Sequence, residues 1–374
     1  MRVLHLIHNL EIGGAQVLLK NLIECQFGRS VEPVVAIWKR RGPILDELQA
    51  TLPDLPVHDL SGGNAVGTVR RLRAVAAAEA VDVVHAHMPD SAFYAGLLAR
   101  RDLPSVVSYY SNSILFHTID RRRLYGKLRW KMLDWGARRA RANVACALTV
   151  RERMVEELAL PVDAIDVVFN GVPMPDDAAF EGALSARAAR RAAGTAPVVV
   201  AVGRLASIKG QIRLVECAPI LREILPSARI RIVGEGPMQA EWQARAVALG
   251  VDDIVEFTGR VADPARELAT ADVYVSPSSY EGISLGLLEA MGAGVPVVVS
   301  AVEGNVDVVR HGDNGLLFDV DDREALARAI AETVSDPGSA DARARRGRDG
   351  VLREFSAEAM AAGYEAIYRR LRRD

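Results

Sequence analysis

Two acidic side chains lie at a strand–turn–helix junction in the second half of the sequence. Glu281 follows a short apolar strand predicted at Val273 to Val275. Glu289 comes after seven intervening residues, in an apolar pattern of three- and four-residue spacing that predicts a helix. In a parallel sheet such a junction lies at the carboxyl edge, where the unpaired amides of the helix start can bind a phosphate. Glu281 could then contact a sugar, and Glu289, about two helical turns further on, a ribose. The pattern therefore predicts a sugar-nucleotide site.

Two cations follow a strand predicted at Val198 to Val202. Arg204 and Lys209 lie in the segment VGRLASIKG, where the next helix begins. A leaving nucleoside diphosphate develops negative charge, which fixed cations stabilise as the bond breaks. Arginine can bind phosphate through a fork of N–H groups, whereas lysine acts as a point charge. Solvated surface charges are the alternative interpretation, but the acidic pair downstream favours the functional one.

Glycines and histidines mark two strand ends in the first half of the sequence. Gly13 and Gly14 follow the first predicted strand, where glycine lets a backbone approach a phosphate; an ordinary tight turn is the alternative. His85 and His87, in DVVHAHMP, point to the same side of one strand. We expect His85 to be buried and His87, nearer the loop, to face the functional edge. No third ligand stands out beside the pair, so we expect no metal.

Length and composition limit the classes of protein. The 374 residues suggest two domains, and a net charge of -2 with a pI of about 6.4 gives no global field for nucleic acid. The three cysteines lie far apart, without metal or disulfide spacing, which favours a reducing cytoplasm. The N-terminal MRVLHLIHNLE is typical of a strand rather than of a signal peptide. No uncharged apolar run of about 18 residues occurs, so we expect no membrane span.

One concentration of basic residues lies between residues 121 and 141. Trp130 and Trp135 are interleaved with its cations, and only Asp134 offsets them after residue 120. A basic helix with aromatic residues can lie on an anionic membrane; a solvated helix face with an inward tryptophan is the alternative. The cations are Arg121, Arg122, Arg123, Lys127, Arg129, Lys131, Arg138, Arg139 and Arg141.

Strands alternate with helices in both halves of the chain, which predicts parallel sheets covered on both faces. Residues 173–194 hold no predicted strand, so we place an interdomain crossing there. The final helix, with Ser356 near its start as N-cap, is long enough to return to the first half. The predicted strands are Val3–Ile7, Val34–Trp38, Val81–Ala86, Ser105–Tyr109, Asn143–Ala147, Ile165–Phe169, Val198–Val202, Ile230–Val233, Ile254–Phe257, Val273–Val275 and Val295–Val299.

The motifs, taken in order, resemble those of one enzyme family. GGAQ follows the first strand, and then come HAH, NGV at the crossing, GRLxxxKG, VGEGP, FTGRV and the two acids. The chain resembles a retaining glycosyltransferase of family 4. The resemblance implies an α/β protein of the GT-B fold, in which two Rossmann-like domains have parallel sheets that face each other across a cleft. It implies a first domain at 1–172, joined by the helix 356–374, and a nucleotide-sugar domain at 195–355.

The resemblance also implies a role for each residue of the donor site. Glu281 would contact the hydroxyls of the transferred sugar, Glu289 the ribose, and the backbone at 260–261 the base. The two cations would bind the diphosphate, so no metal or other cofactor is implied. The donor-binding residues would be Gly14, Arg204, Lys209, Arg260, Val261, Gly282, Ile283, Ser284, Leu285, Gly286 and Glu289.

Two residues depart from the family pattern. Tyr110 stands where the family usually has a histidine, at the end of VVSYY, and Ala147 stands where relatives often carry serine. A tyrosine can hydrogen-bond a sugar hydroxyl but is a poor base at neutral pH. His87 or His117 would then compensate on the acceptor side. The catalytic set implied for this chain is therefore Glu281, His87 and Tyr110.

The function expected from the sequence is transfer of a sugar from a nucleotide sugar, with UDP favoured on family grounds. The acceptor would be a hydroxyl of a glycan, a polysaccharide or a lipid-linked molecule near the cytoplasmic face of a membrane. A non-catalytic glycosyltransferase-like subunit, which Tyr110 favours, and a nucleotide-sugar epimerase are the alternatives. A Rossmann oxidoreductase is disfavoured because GEGP, at Gly234–Pro237, lacks the third glycine of the dinucleotide fingerprint.

Overall fold

The computed structural model of the chain describes two compact units. The residues described are 1–110, 123–261 and 263–373. The first unit comprises Met1–Val172 and Phe355–Asp374, and the second comprises Pro173–Glu354. Three residues named from the sequence lie outside the described part of the chain: His117, Arg121 and Arg122.

Seven parallel strands form the sheet of the first unit. They are β1 (Arg2–Asn9), β2 (Glu32–Arg40), β3 (Val57–Asp59), β4 (Val83–His87), β5 (Ser105–Tyr109), β6 (Ala142–Ala145) and β7 (Ile165–Val167). Their order in the sheet is β3-β2-β1-β4-β5-β6-β7. The chain runs outward in one direction from β1 and in the other from β4, so the order reverses between these two strands. Such a reversal opens a crevice at the carboxyl ends of the strands.

Helices connect these strands, and the strand interiors are buried as expected for a parallel sheet covered on both faces. Val3, Leu4 and Leu6 of β1, for example, have no exposed surface. The helices are α1 (Gly14–Gln26), α2 (Pro43–Thr51), α3 (Ala65–Ala78), α4 (Pro89–Leu98), α5 (Leu124–Arg139), α6 (Leu148–Leu158) and, from the end of the chain, α15 (Ala357–Arg373).

The C-terminal helix α15 belongs to the first unit. Ser356 is its N-cap, since its hydroxyl accepts a hydrogen bond from the Ala359 amide at 3.1 Å. The chain passes so close to this cap at Gly171 that a Cβ there would lie 2.4 Å from the Ser356 carbonyl oxygen. The Asn21 side chain of α1 donates to the Gly171 carbonyl at 3.1 Å. Glycine at 171 therefore allows three segments to meet.

Six parallel strands form the sheet of the second unit. They are β8 (Val198–Val202), β9 (Arg229–Val233), β10 (Val255–Gly259), β11 (Val273–Ser276), β12 (Val297–Ser300) and β13 (Leu316–Phe318), in the order β10-β9-β8-β11-β12-β13. The order reverses between β8 and β11. The helices are α7 (Asp177–Ala192), α8 (Ile212–Ile224), α9 (Gln239–Ala248), α10 (Pro264–Thr270), α11 (Leu285–Gly292), α12 (Asn305–Val308), α13 (Arg323–Ser335) and α14 (Pro337–Glu354).

The structure differs from the sequence prediction in three elements. The strands β3 and β13 were not predicted, because each has only three residues and lies at a sheet edge. Residues 173–194, which we assigned to a crossing, contain α7. The buried Arg187 of this helix donates to the Gly294 carbonyl at 2.7 Å, so the segment is part of the second unit.

We expect Gly171→Ala to lower the stability of the protein by about 1–3 kcal/mol, because the added methyl group would overlap the backbone at Ser356. Thermal unfolding followed by circular dichroism measures the effect. Gly182→Ala is the control, since a Cβ at Gly182 in α7 meets no atom within 4 Å. Equal melting temperatures for Gly171→Ala and the wild type would show that the close approach does not constrain the fold.

Candidate functional site

The carboxyl edge of the second sheet brings two of the predicted site residues together at the strand-order reversal. β8 and β11 are hydrogen-bonded neighbours, with Val199 opposite Val273. The chain after β8 carries Lys209, at the end of a 3-10 turn spanning Ser207–Lys209. The chain after β11 carries Glu281. The Lys209 Nζ atom lies 2.7 and 2.9 Å from the two Glu281 carboxylate oxygens.

This ion pair is half-buried and its carboxylate is oriented by a third group. Glu281 is 8% exposed, whereas the Lys209 side chain retains about a third of its exposure. The Ser278 hydroxyl donates to the Glu281 Oε1 atom at 2.7 Å. A carboxylate with two fixed partners is held in one orientation, which suits it for recognition of substrate hydroxyls.

A chain of buried polar groups supports the Glu281 loop from below. The Ser300 hydroxyl donates to the Ser278 carbonyl at 2.6 Å, and the Asn305 side chain donates to the Ser300 carbonyl at 3.0 Å. Both Ser300 and Asn305 are fully buried. Gly304, with φ of +81°, lies against the loop, since a Cβ there would be 1.8 Å from the Gly282 carbonyl oxygen. Strand β12 and helix α12 therefore fix the position of Glu281.

Helix α11 begins directly after this loop. Its N-cap, Ser284, makes no side-chain capping bond, and the first turn carries no acidic residue. The first amides of a helix have no partner within the helix, and the helix dipole makes them favourable for an anion. At Gly286 a Cβ would lie 2.8 Å from the Tyr274 hydroxyl, so glycine allows this turn to approach β11 closely. The geometry is that of an anion site beside Glu281.

Glu289 lies on α11 and is half-buried. Its carboxylate has no hydrogen-bond or ion-pair partner among the residues that the structure describes. Burial raises the pKa of its carboxyl group, because the charged form loses solvation. A half-buried carboxylate without a partner is costly unless a ligand supplies hydrogen bonds, as the hydroxyls of a ribose would.

Arg204 is exposed and forms no ion pair within the described ranges, and its loop is held by the GEGP segment. The Leu205 amide donates to the Glu235 carbonyl at 2.9 Å. At Gly236 a Cβ would lie 2.2 Å from the Leu205 carbonyl oxygen. GEGP is therefore a turn rather than a dinucleotide fingerprint, and it positions the loop of Arg204.

The remaining predicted donor residues lie at three places. Arg260 and Val261 follow β10, two strands away from β8 in the sheet, and Arg260 is exposed. In the first unit, Gly14 begins α1 directly after the N-cap Gly13. A Cβ at Gly14 meets no atom within 4 Å, so its backbone borders open space. The segment 282–284 forms the loop between Glu281 and α11, and Leu285 and Gly286 are the first two residues of that helix.

His87 does not face the functional edge as we predicted. It is fully buried, and so is His85, for which burial was predicted correctly. The His87 Nε2 atom lies 2.9 Å from His5 Nδ1, and its Nδ1 atom lies 2.6 Å from the Tyr110 hydroxyl. Tyr110, the residue that departs from the family pattern, is also buried and belongs to the same network.

The network satisfies all six ring nitrogens of three histidines. His5 Nε2 lies 3.0 Å from Gln26 Oε1, His85 Nδ1 lies 2.6 Å from the Tyr368 hydroxyl, and His85 Nε2 lies 2.7 Å from the Ser108 hydroxyl. Three neutral rings fit these contacts, with each Nε2 donating and each Nδ1 accepting. Burial lowers the pKa of His5 to about 3 and those of His85 and His87 well below the usual range, consistent with neutral rings.

His5 is the residue that sequence reasoning missed at this place. One ring nitrogen from each of His5, His85 and His87 lies within 4.8 Å of the other two. His5 is thus the third potential metal ligand that the sequence analysis did not find. The signal was available in the parallel register, because His5 on β1 lies opposite His85 on β4. However, a metal at this position would have to displace hydrogen bonds that already satisfy every ring nitrogen. The donor set therefore fits a structural network better than a metal centre.

The basic segment falls largely on α5, and its cations differ in their surroundings. Arg129 is paired with Asp90 at 2.8 Å, and Arg138 with Asp134 at 3.0 Å. Lys127 and Lys131 are exposed and form no ion pair with any residue of the described ranges. Within those ranges, the structure contains no helix of the length and apolar character that crossing a membrane requires.

Both halves of the chain are similar to known glycosyltransferases in sequence. The family model described as Glycosyltransferase Family 4 matches residues 12–174, and the model described as Glycosyl transferases group 1 matches residues 196–336. The lipopolysaccharide core biosynthesis glycosyltransferase LpsE of Rhizobium meliloti is 36% identical over 169 residues, or 45% of this chain and 48% of that protein. The GDP-mannose-dependent alpha-(1-6)-phosphatidylinositol monomannoside mannosyltransferase of Mycobacterium tuberculosis H37Rv is 36% identical over 179 residues, or 45% and 46% of the two chains. The alignments thus span less than half the length of these relatives.

Solved structures show the same fold over the whole chain. Alr3699/HepE of Anabaena in complex with UDP has a TM-score of 0.82 at 19% identity, covering 99% of this chain and 100% of that one. The same protein in complex with UDP-glucose has a TM-score of 0.80 at 21% identity, with 99% and 100% covered. This likeness extends to the fold alone. The two family models, which jointly span most of the sequence, show that the chain belongs to family 4 (group 1) of the glycosyltransferases, and the solved structures show that it has the GT-B fold.

Proposed function

We propose that this protein is a retaining glycosyltransferase that moves a sugar from a nucleotide donor to a hydroxyl of a glycan, polysaccharide or lipid-linked acceptor. The observation that carries the proposal is the Lys209–Glu281 pair at the β8/β11 reversal, beside the uncapped start of α11. The cation and the free helix amides suit the two phosphates of a nucleotide sugar. The oriented carboxylate beside them suits the hydroxyls of its sugar. We favour UDP because Alr3699/HepE, which shares this fold, was solved in complex with UDP and with UDP-glucose. The mannosyltransferase relatives use GDP-mannose, which makes a GDP-sugar the second donor to test.

In this proposal the donor diphosphate lies at the start of α11, with Lys209 and Arg204 as its cations. Glu281 contacts the hydroxyls of the transferred sugar, and Glu289 accepts hydrogen bonds from the ribose. The backbone at 260–261 contacts the base. Because the anion competes with Glu281 for Lys209, donor binding loosens their ion pair and turns the carboxylate toward the sugar.

The bonds and the proton of the transfer step are accounted for by the donor and the acceptor, without a cofactor. The bond between the anomeric carbon and the diphosphate oxygen breaks, and the acceptor oxygen forms a bond to the same face of that carbon. The acceptor proton passes to an oxygen of the leaving diphosphate. The two cations and the helix start stabilise the charge on the leaving group, so we propose that no metal is required.

His87 and Tyr110, predicted as catalytic, stay untested in that role. Their burial and mutual hydrogen bond favour a positioning role, in which they hold the carboxyl ends of β4 and β5. A direct contact with the acceptor would require either side chain to leave the network.

We also propose that the first two turns of α5 rest on an anionic membrane at the cytoplasmic face. Leu124, Tyr125 and Leu128 are 85%, 78% and 57% exposed, and the unpaired Lys127 and Lys131 lie among them. Leu124, Leu128 and Lys131 share one helix face at i, i+4 and i+7. An exposed apolar face flanked by lysines complements an anionic lipid surface. The membrane-binding surface expected over residues 121–141 is therefore limited to the first two turns of α5.

The function is tested by titrating the protein with UDP-, GDP- and ADP-sugars and with NAD, followed by product analysis with the donor that binds. We expect one nucleotide sugar to bind, NAD not to bind, and NMR of the product to show the anomeric configuration of the donor. Glu281→Gln should lower kcat roughly 100-fold, the range for loss of a transition-state contact, whereas Asp252→Asn on an exposed loop should not. An inverted product would contradict retention. Donor binding without transfer to any glycan or lipid acceptor would favour the non-catalytic alternative, and donor conversion without acceptor the epimerase.

The pKa of Glu289 predicts how donor affinity depends on pH. The ionised carboxylate accepts hydrogen bonds from the ribose hydroxyls. The affinity for the donor is therefore highest above the raised pKa of Glu289 and falls as the pH is lowered through that pKa. The fall should begin at a higher pH than for an exposed glutamate. Isothermal titration between about pH 4.5 and 8 measures it. Glu289→Gln should weaken binding about 10- to 100-fold near neutral pH and flatten the profile. An unchanged dissociation constant for this variant would remove the ribose assignment.

Liposome flotation tests the membrane surface. The wild type should float with vesicles that contain phosphatidylglycerol and remain behind with phosphatidylcholine alone. The double variant Lys127→Gln/Lys131→Gln should lose flotation, because it removes the unpaired cations. The control Arg138→Gln/Arg141→Gln removes the same charge from the other end of the segment and should float. Loss of flotation in both double variants would mean that net charge alone, rather than this surface, binds lipid, and flotation of both would contradict a role for the two lysines.

A further inference from the structure

The carboxyl edge of the first sheet contains an irregularity next to the β1/β4 reversal. β1 and β2 pair regularly up to Ile7 opposite Ile37, and the next pair is Asn9 opposite Arg40. One residue of β1, His8, therefore faces two residues of β2, Trp38 and Lys39. Such a bulge redirects side chains and is common beside active sites.

Three rings meet at this bulge. The His8 and Trp38 rings are 6.5 Å apart between centroids, and the Trp38 and Tyr94 rings are 5.0 Å apart at an interplanar angle of 53°. Tyr94 comes from α4, which follows β4. All three side chains are half-buried, so one part of each is packed and another faces solvent. We call this group the His8–Trp38–Tyr94 platform.

The polar atoms of the platform are unused. The Nδ1 atom of His8 is buried and has no hydrogen-bond partner in the part of the chain that the structure describes. The Trp38 indole N–H and the Tyr94 hydroxyl likewise have no partner among those residues, and the neighbouring Lys39 has no ion pair there. A buried polar atom is usually satisfied, so the orphaned Nδ1 atom of His8 indicates a ligand or water that completes it.

The backbone beside the platform is strained. Met88, between β4 and α4, has φ of +71° and ψ of 155°, a backbone conformation that residues other than glycine rarely adopt. Strain of this kind persists where the surrounding structure enforces it and clusters at functional sites. Two residues later, Asp90 is fixed by Arg129 through contacts of 2.8 to 3.0 Å. The edge is therefore bounded by a rigid ion pair.

We propose that the His8–Trp38–Tyr94 platform binds a pyranose ring of the acceptor glycan. A pyranose presents an apolar C–H face, which an indole ring can cover, and a rim of hydroxyls, which needs donors and acceptors nearby. The platform offers both within one bulge. The inference rests on the proposed function, which requires an acceptor hydroxyl, and it names the residues that select that acceptor.

The chemistry of the platform favours a neutral sugar over a nucleotide. Burial and the nearby Lys39 lower the pKa of His8, so its ring is neutral at pH 7 and offers one donor and one acceptor. The charge of Arg129 is offset by Asp90, which leaves Lys39 as the cation next to the rings. At the start of α11, by contrast, the cation Lys209 is held in place by Glu281.

Ligand-observed saturation-transfer NMR tests the platform directly. The probes are methyl glycosides of glucose, galactose, mannose, rhamnose and N-acetylglucosamine, at millimolar concentration with the full-length protein. We expect transfer to the C–H protons of at least one glycoside in the wild type, loss of it in Trp38→Ala, and partial retention in Trp38→Phe. Trp135→Ala is the control, because Trp135 is a half-exposed tryptophan of the same unit that lies outside the platform. Absence of transfer in the wild type, or equal loss in Trp135→Ala, would overturn the proposal.

Kinetics separate this inference from the proposed function. With an active donor–acceptor pair, Trp38→Ala and Tyr94→Phe should raise the acceptor KM at least about 10-fold, the effect of about 1.4 kcal/mol. The donor dissociation constant should stay within about twofold. If glycosides bind but no transfer occurs, the proposed function fails and the platform stands. If transfer occurs and Trp38→Ala leaves the acceptor KM unchanged, or if it weakens donor binding instead, the platform proposal fails and the function stands.

Discussion

The reversal of strand order within each parallel sheet is the constraint on which the site depends. It leaves β8 and β11 adjacent but sends their following segments apart, so polar residues can project there without facing another connection. Lys209 and Glu281, separated by 72 positions, meet for this reason. A half-buried ion pair is costly to hold unless further hydrogen bonds satisfy the carboxylate. Ser278 supplies one of these bonds, and Ser300 and Asn305 fix the backbone of Ser278 in turn.

The histidine network is a second consequence of parallel pairing, and it accounts for the unusual tyrosine. The register of β1 and β4 places His5 opposite His85. His87 lies two residues further along β4, toward the carboxyl edge of the sheet. Burial keeps these rings neutral, so each needs one donor and one acceptor. Burial also raises the pKa of Tyr110 well above its usual range, and its protonated hydroxyl donates to His87. A tyrosine at 110 therefore completes the network without supplying a base.

Local sequence pattern predicted the elements of the fold, whereas contacts that depend on strand register were missed. Apolar runs identified all strands except β3 and β13, which are too short to show a pattern, and the Ser356 cap followed from residue type. The pairing of Lys209 with Glu281 was expected only as a shared site. His87 was placed wrongly because position along a strand does not reveal which side chains from other strands cover it. The meeting of His8 with Trp38 could not be foreseen, since a bulge changes the register without a signal in composition.

The two sheet edges differ in a way that fits a division of labour in glycosyl transfer. The edge of the second unit carries Lys209, Arg204, two carboxylates and an uncapped helix start, all suited to a charged diphosphate and its ribose. The corresponding edge of the first unit carries aromatic rings, the orphaned Nδ1 atom of His8 and one exposed cation, Lys39, and its Asp90 and Arg129 neutralise each other. A donor is an anion with a leaving group, whereas an acceptor is a sugar with hydroxyls. Under the proposed function, the charged edge binds the donor and the aromatic edge binds the acceptor.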